Sequence, residues 1–215
     1  MSALPESLAR LASGARVVRA EEISRFLPPA TGGRPAAVLM LFAAGPAGPD
    51  VLLIERAATL RSHAGQPAFP GGAIDPEDNG AIGAALREAQ EEVGIDPASV
   101  QIVAELPELF IPVTGFVVTP VLAWWREPHA VKPVDVQEVA AVVRVPIAEL
   151  ADPANRQRVR HPSGWVGPAF NVREMLVWGF TAGLLDRLLK LGGWEQPWTP
   201  GAINELPQPA EDDGV

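Results

Sequence analysis

The chain has no cysteine and no tyrosine among its 215 residues, and only two of its 17 basic side chains, Lys132 and Lys190, are lysines. Without cysteine there is neither a disulfide framework nor a thiolate metal site. Long apolar runs are missing as well: the longest stretch, residues 36–44, suits a buried strand and is too short to cross a bilayer. The N-terminus carries acidic residues early and has no continuous apolar centre, so no secretory signal is expected. The expectation is a cytoplasmic protein with no membrane partner. Basic charge is also in deficit. A net charge of −9 argues against non-specific nucleic-acid binding, although local cations could still receive an anionic small molecule. The preference for arginine over lysine reads as composition bias and carries no functional inference.

What is present is a globular composition, 47% apolar and 20% charged, in a chain long enough for one sizeable core. Residues 1–34 read as a helical extension, residues 35–191 as the main domain, and residues 192–215, rich in proline, glycine and acid, as a mobile tail. Strands are expected at 36–43 and 51–56, joined by a Gly/Pro loop, and again at 99–106, 116–125 and 138–146. The last of these leads into a short helix. Residues 57–79 hold too much proline and glycine for regular structure, and an irregular stretch of that length inside a domain is usually functional. Residues 172–191 read as a long amphipathic helix docked on the sheet, with Trp178 in the core. Trp124 and Trp125 suit core packing and are also candidates for stacking on a base.

The clearest helix runs from Gly80 to Val93, with Gly94 as its C-terminal cap. At 100° per residue, Ile82, Ala85, Leu86, Ala89 and Val93 fall in a stripe about 100° wide. Taking Ile82 as zero, Glu88 lies at about 240°, Glu91 at about 180° and Glu92 at about 280°. All three are therefore expected off the apolar stripe, converging on a solvent-facing site. As a bare helix this is a poor arrangement. Glu88 repels Glu91 and Glu92 by about 0.2–0.5 kcal/mol each, and the helix dipole disfavours anions in the last turn by about 0.3–1 kcal/mol each. A divalent cation removes both penalties, and an all-oxygen cluster suits Mg²⁺ or Mn²⁺. Just upstream, Gly71 and Gly72 give a backbone free of side-chain bulk that can approach a ligand or offer a carbonyl to a metal.

The string GG…LREAQEEVGI resembles the Nudix box: Gly, five residues, Glu, seven residues, then Arg-Glu-x-x-Glu-Glu-x-Gly and an aliphatic residue. Arg87, Glu88, Glu91, Glu92, Gly94 and Ile95 match its second half. The resemblance implies an α/β (α+β) fold, an α-β-α sandwich with a central mixed, curved sheet. It also implies hydrolysis of a nucleoside diphosphate derivative with bound Mg²⁺ or Mn²⁺, and a homodimer. Metal ligands would be Glu88, Glu91 and Glu92 with Gly71 or Gly72, and Arg87 would orient the carboxylates. The first half departs from the pattern, because strict spacing puts Ala73 at the glycine position and Asn79 at the first glutamate. In the family that glutamate commonly pairs with the arginine; here Glu77, Asp78 or Glu91 could serve Arg87.

Residues 52–72, LLIERAATLRSHAGQPAFPGG, are similar to the motif of the coenzyme A pyrophosphatase branch of that family. Leu52, Leu53, Arg56, Ala57, Arg61, Gly65, Phe69, Pro70, Gly71 and Gly72 fit, with Ile54 in place of a threonine. The resemblance implies coenzyme A or a derivative as the small-molecule substrate, cleaved to 3′,5′-ADP and 4′-phosphopantetheine. Arg56 and Arg61 could bind phosphate through planar forks of donors, and Gly65, Phe69 and His63 are expected near the substrate. Gln66 and Glu138 are open positions at the same site. Two alternatives stand beside this reading: a Nudix hydrolase of another nucleotide, such as ADP-ribose or a nucleoside triphosphate, and a catalytically silent nucleotide-binding domain.

Overall fold

The computed structural model describes residues 4–59 and 64–206. Helices α1 (Glu6–Ala15) and α2 (Ala20–Ile23) precede the hairpin of β1 (Arg34–Gly45) and β2 (Gly48–Arg56). Two short strands, β3 (Pro67–Ala68) and β4 (Gly71–Ala73), lead into α3 (Gly80–Val93). Next come β5 (Val100–Glu105), β6 (Leu109–Ile111), β7 (Phe116–Trp125) and β8 (Val139–Pro146), which runs straight into α4 (Ile147–Ala151). The chain continues through β9 (Arg156–Arg160), β10 (Val166–Val172), β11 (Met175–Val177), α5 (Gly179–Gly192) and β12 (Ile203–Glu205).

The main sheet runs β3-β2-β1-β7-β5, with β4 added to β1, β6 to β7 and β8 to β2. It is mixed, because β1 and β7 are parallel while the other pairs are antiparallel. Both faces are covered, which is why its central strands read as unbroken apolar runs. Along β1, Met40 and Phe42 point into one hydrophobic cluster, while Leu39, Leu41 and Ala43 point into the other. Helices α1, α4 and α5 close the first face, and α3 closes the second with Ala84, Ala85, Ala89 and Val93. This is the expected α-β-α sandwich.

The tryptophan pair divides between the two cores. Trp124 joins the first cluster and Trp125 the second, where its indole N–H donates to the Ser99 hydroxyl at 2.9 Å. Neither ring is free to stack on a base. Trp178 is partly buried and stacks on the His161 ring, with centroids 5.7 Å apart.

Two expectations change. Residues 172–177 do not begin a long helix. They turn at Arg173 and Glu174, both with positive φ (51° and 64°), and β11 returns along β10 before α5 starts at Gly179. The second sheet so formed, β11-β10-β9-β12, takes its last strand from the segment expected to be a mobile tail. This segment is held at several points: Trp194 stacks on Phe42 with centroids 6.2 Å apart, and Leu206 is buried. Large aromatic side chains after a helix hold their segment down because exposing them costs more than ordering the backbone.

Among the described residues no helix is long and apolar enough to cross a membrane.

Candidate functional site

Helix α3 leaves the edge of the second core with Gly94 in the left-handed conformation (φ 77°), its N–H satisfying the last carbonyls. Its three glutamates do not share one environment. Glu91 is exposed. Glu88 is largely covered, and burial pushes its carboxyl above the usual carboxylate range despite the bond from Arg87; Glu91 and Glu138 push the same way. Glu92 is 2% exposed and accepts a hydrogen bond from the Gly71 N–H at 3.1 Å. Burial raises its pKa to about 8; the Gly71 bond opposes this, Glu88 and Glu138 add to it, and Arg56 counters it. The expectation of three solvent-facing carboxylates is therefore corrected for Glu92. It borders the apolar stripe and turns inward against β4.

The glycines are explained by the same approach. A Cβ on Gly71 would fall on the Ala37 carbonyl oxygen and on Val38, across the β1–β4 pairing. A Cβ on Gly72 would fall on the Glu88 carboxylate. Gly72→Ala is accordingly expected to weaken Mn²⁺ binding by about tenfold, through displacement of Glu88. Titrating Mn²⁺ against the variant checks this, and its melting temperature should stay close to that of the parent.

Arg87 finds its partner in Asp78. Nε donates to Oδ1 and Nη2 to Oδ2, both at 2.9 Å, a bidentate fork. Nη1 also reaches Glu88 at 2.9 Å and Glu91 at 3.1 Å. Arg87 holds the Asp78 carboxyl below its ordinary pKa, and Asp78, ahead of Glu88, raises that of the arginine.

Two further groups face the glutamates from outside the helix. Arg56 closes β2, where a register shift sets it opposite Val139. Its backbone is tied to Gln66 and Gly65, which pins both ends of the intervening loop. The Arg56 Nε is buried and has no hydrogen-bond partner among the described residues. Glu138, one residue before β8, is fixed by its carbonyl, which accepts from the Ala57 N–H at 2.8 Å. Its carboxylate opposes ionisation of both Glu88 and Glu92. Sequence reasoning left Glu138 open, and only the pairing of β8 with β2 brings it here.

Two of the remaining expected site residues lie among the described ones. Gly65 sits at the loop's end with φ 65°, a conformation that suits glycine. Phe69, expected near the substrate, is 3% exposed and belongs to the first core, the cluster that also holds Met175 and Val177. Arg61 and His63 lie outside the described residues.

A divalent cation suits this donor set. Glu92 is a buried carboxylate that accepts from the Gly71 N–H, and the Glu88 and Glu138 carboxylates lie near enough to oppose its ionisation. The cation that contacts Glu88 and Glu91 here is the Arg87 guanidinium. Among the described residues no three acidic or imidazole groups stand at metal-coordination spacing.

A NUDIX domain profile matches residues 33–165. The chain is 44% identical over 166 residues to an uncharacterized Nudix hydrolase, NudL, of Cronobacter sakazakii, covering 74% of this chain and 83% of that one. It is 41% identical over 167 residues to NudL of Escherichia coli K12, with the same coverage of 74% and 83%. Among solved structures, the Nudix hydrolase RenU of M. smegmatis superposes with a TM-score of 0.54 at 24% identity, covering 76% of this chain and 88% of that chain. A Nudix hydrolase of Nitrosomonas europaea gives 0.52 at 16% identity, covering 83% and 81%. These two likenesses concern the fold; the family follows from the profile and the close relatives. With box carboxylates on α3, the arginine clamped beneath them and the glycine loop against Glu92, the chain belongs to the Nudix hydrolase family.

Proposed function

We propose that the protein hydrolyses the pyrophosphate bond of coenzyme A or a derivative, releasing 3′,5′-ADP and 4′-phosphopantetheine. The observation that carries the reading is Arg56. Its buried Nε, beside a carboxylate cluster, has no acceptor among the described residues. A phosphate oxygen of the substrate supplies one, and arginine suits phosphate through its planar fork. Arg56 also lies within residues 52–72, the stretch whose spacing resembles the coenzyme A branch, and Gly65 and Gln66 are hydrogen-bonded to its backbone.

Glu88, Glu91 and Glu92 would hold the Mg²⁺ or Mn²⁺, with a carbonyl of Gly71 or Gly72 in reach of the same face. When bound, that ion neutralises phosphate charge and makes a water nucleophilic near neutral pH. The protein's own side chains do the rest. Arg87 keeps Glu88 and Glu91 from rotating away, Arg56 draws the anionic substrate into an acidic molecule, and a glutamate of the cluster accepts the proton of the attacking water.

The purified protein should be incubated with Mg²⁺ or Mn²⁺ and coenzyme A, ADP-ribose or dGTP, and the products identified. Formation of 3′,5′-ADP from coenzyme A is expected. Turnover of ADP-ribose or dGTP with coenzyme A untouched moves the enzyme to another nucleotide, and no turnover at all makes it a silent binding domain.

A further inference from the structure

Of the six tryptophans, five are committed to packing. Trp124 and Trp125 lie in the two cores, Trp194 stacks on Phe42, and Trp198 covers the Arg156 guanidinium. The Trp165 ring lies across Gly167, where a Cβ would collide with it. Trp178 differs. It follows β11 in an extended conformation and is partly exposed. Met175 and Val177 belong to the first core, whereas Leu176 and Trp178 alternate with them and pack with Val159, Ala169 and Leu206. The indole stacks on the His161 imidazole, and among the described residues nothing accepts from its N–H.

The two rings are held in place. His161 Nδ1 accepts from the Ser163 N–H at 3.1 Å and stands 2.8 Å from the Ser163 hydroxyl, which fixes the imidazole against the indole. They also lie near the arginine read above as the phosphate ligand. β11 packs beside β3, and Gln66, just ahead of β3, is hydrogen-bonded to the Arg56 backbone. Trp178 and Arg56 therefore flank one short strand. Room is open at both places, because a Cβ on Gly65 or on Gly179 would meet no described atom within 4 Å. Helix α5 starts only after a left-handed turn at Gly179 (φ 66°), so the indole stays at the end of extended chain.

We propose that Trp178, backed by His161, is the surface on which the adenine ring of the substrate stacks. This rests on the hydrolase reading above for the identity of the substrate. In an adenosine diphosphate derivative one ribose separates the base from the first phosphate. A base platform therefore belongs beside the arginine that takes the phosphate, away from the metal carboxylates. An indole offers a large flat π face, and a base stacks on it without matched hydrogen bonds. That suits a molecule of net charge −9, which has little positive field with which to hold a nucleotide by charge alone. The stack also distinguishes the two halves of coenzyme A. The nucleotide half has a ring to place on Trp178; the phosphopantetheine half has none.

The test compares the full-length protein with Trp178→Ala, Trp178→Phe and Trp165→Phe. Calorimetry gives the Kd for 3′,5′-ADP, which carries the base, and for 4′-phosphopantetheine, which lacks it; KM and kcat are read with coenzyme A and Mg²⁺. Trp178→Ala should raise the 3′,5′-ADP Kd and the coenzyme A KM by about tenfold or more, with kcat changed by less than about threefold. Its Kd for 4′-phosphopantetheine should stay within about twofold of the parent, and Trp178→Phe should recover most of the nucleotide affinity. Tryptophan fluorescence of the parent should be quenched by 3′,5′-ADP. That quench should persist in Trp165→Phe and vanish in Trp178→Phe. Parental 3′,5′-ADP affinity in a folded Trp178→Ala overturns the proposal, as does equal weakening of both ligands or a parent that does not bind 3′,5′-ADP. Should Trp178→Ala fail to fold, a quench of parental size in Trp178→Phe overturns it. If the parent binds 3′,5′-ADP but turns over no coenzyme A, the hydrolase reading falls, and the Kd comparison still decides the role of Trp178.

Discussion

Glu92→Gln is expected to lower turnover by about 10³-fold or more while making the metal-free protein more stable at pH 8. The two effects share one cause. Glu92 is buried, and its folded-state pKa is pushed to about 8 by burial and by Glu88 and Glu138. In the unfolded chain it titrates near an ordinary glutamate's value, about 4.3. Below that value both states bind the proton and the group contributes nothing. As pH rises towards 8 the unfolded chain ionises while the folded one keeps its proton, so stability falls across that window and levels off above it. The loss is on the order of 5 kcal/mol, and glutamine avoids it. A bound divalent cation reverses the balance for the parent, because the charge that was costly becomes the ligand. Melting curves from pH 5 to 9, with and without Mn²⁺, check the prediction. The parent should lose stability with pH in chelator and regain it with Mn²⁺, while the variant should do both to a smaller extent, through Glu88. A variant that melts lower than the parent in chelator at pH 8 would give Glu92 a structural role instead.

That burial was legible only in part. The strands at 36–43, 51–56 and 116–125 could be read as short apolar runs, and the helix from Gly80 to Val93 because its apolar residues follow a helical period. On the same wheel Glu92 lies about 20° from Ala85 at the edge of the stripe, which is closer to the core than to Glu91. Reading it as solvent-facing treated the stripe's border as a boundary. The β10–β11 hairpin was hidden for a different reason. Its turn is made by Arg173 and Glu174 in left-handed conformations, without the glycine or asparagine that usually marks one. Met175 and Val177 then fit a helical register as well as a strand. Arg87's partner could not be chosen among Glu77, Asp78 and Glu91 because the decision belongs to the turn at Pro76, which aims one carboxylate inward and leaves its neighbour exposed. Arg56 and Glu138 meet only because β8 pairs with β2, a contact between residues far apart in the chain. The packed segment after α5 did leave a trace, since Trp194 and Trp198 are too apolar for a solvated tail.

Asp186→Ala is expected to be among the most destabilising single substitutions in the protein, and more so than Arg156→Met. Arg156 opens β9 with its side chain 1% exposed, between the Phe170 ring (5.6 Å) and the Trp198 ring (4.7 Å). It pairs with Asp186 on α5 and, at 3.4 Å, with Glu195 beyond it. One buried cation therefore joins the second sheet, the last helix and the segment that follows it. Removing Asp186 strands the arginine with only the more distant Glu195, and breaking a buried pair in this way costs about 3–5 kcal/mol. For a chain of this size that is a fall in melting temperature of about 10 °C or more. Arg156→Met leaves a different remainder. Asp186 keeps Lys190 at 2.7 Å and some contact with solvent, and methionine fills much of the space between the two rings. The double variant Arg156→Met/Asp186→Ala should consequently melt above Asp186→Ala alone, because no buried charge is left without a partner. Tryptophan fluorescence would report release of the 194–198 segment in the single variant and its retention in the double one. Additive losses would mean that the pair contributes through packing alone, and that the segment is held by Trp194 against Phe42 without help from the charge beneath Trp198.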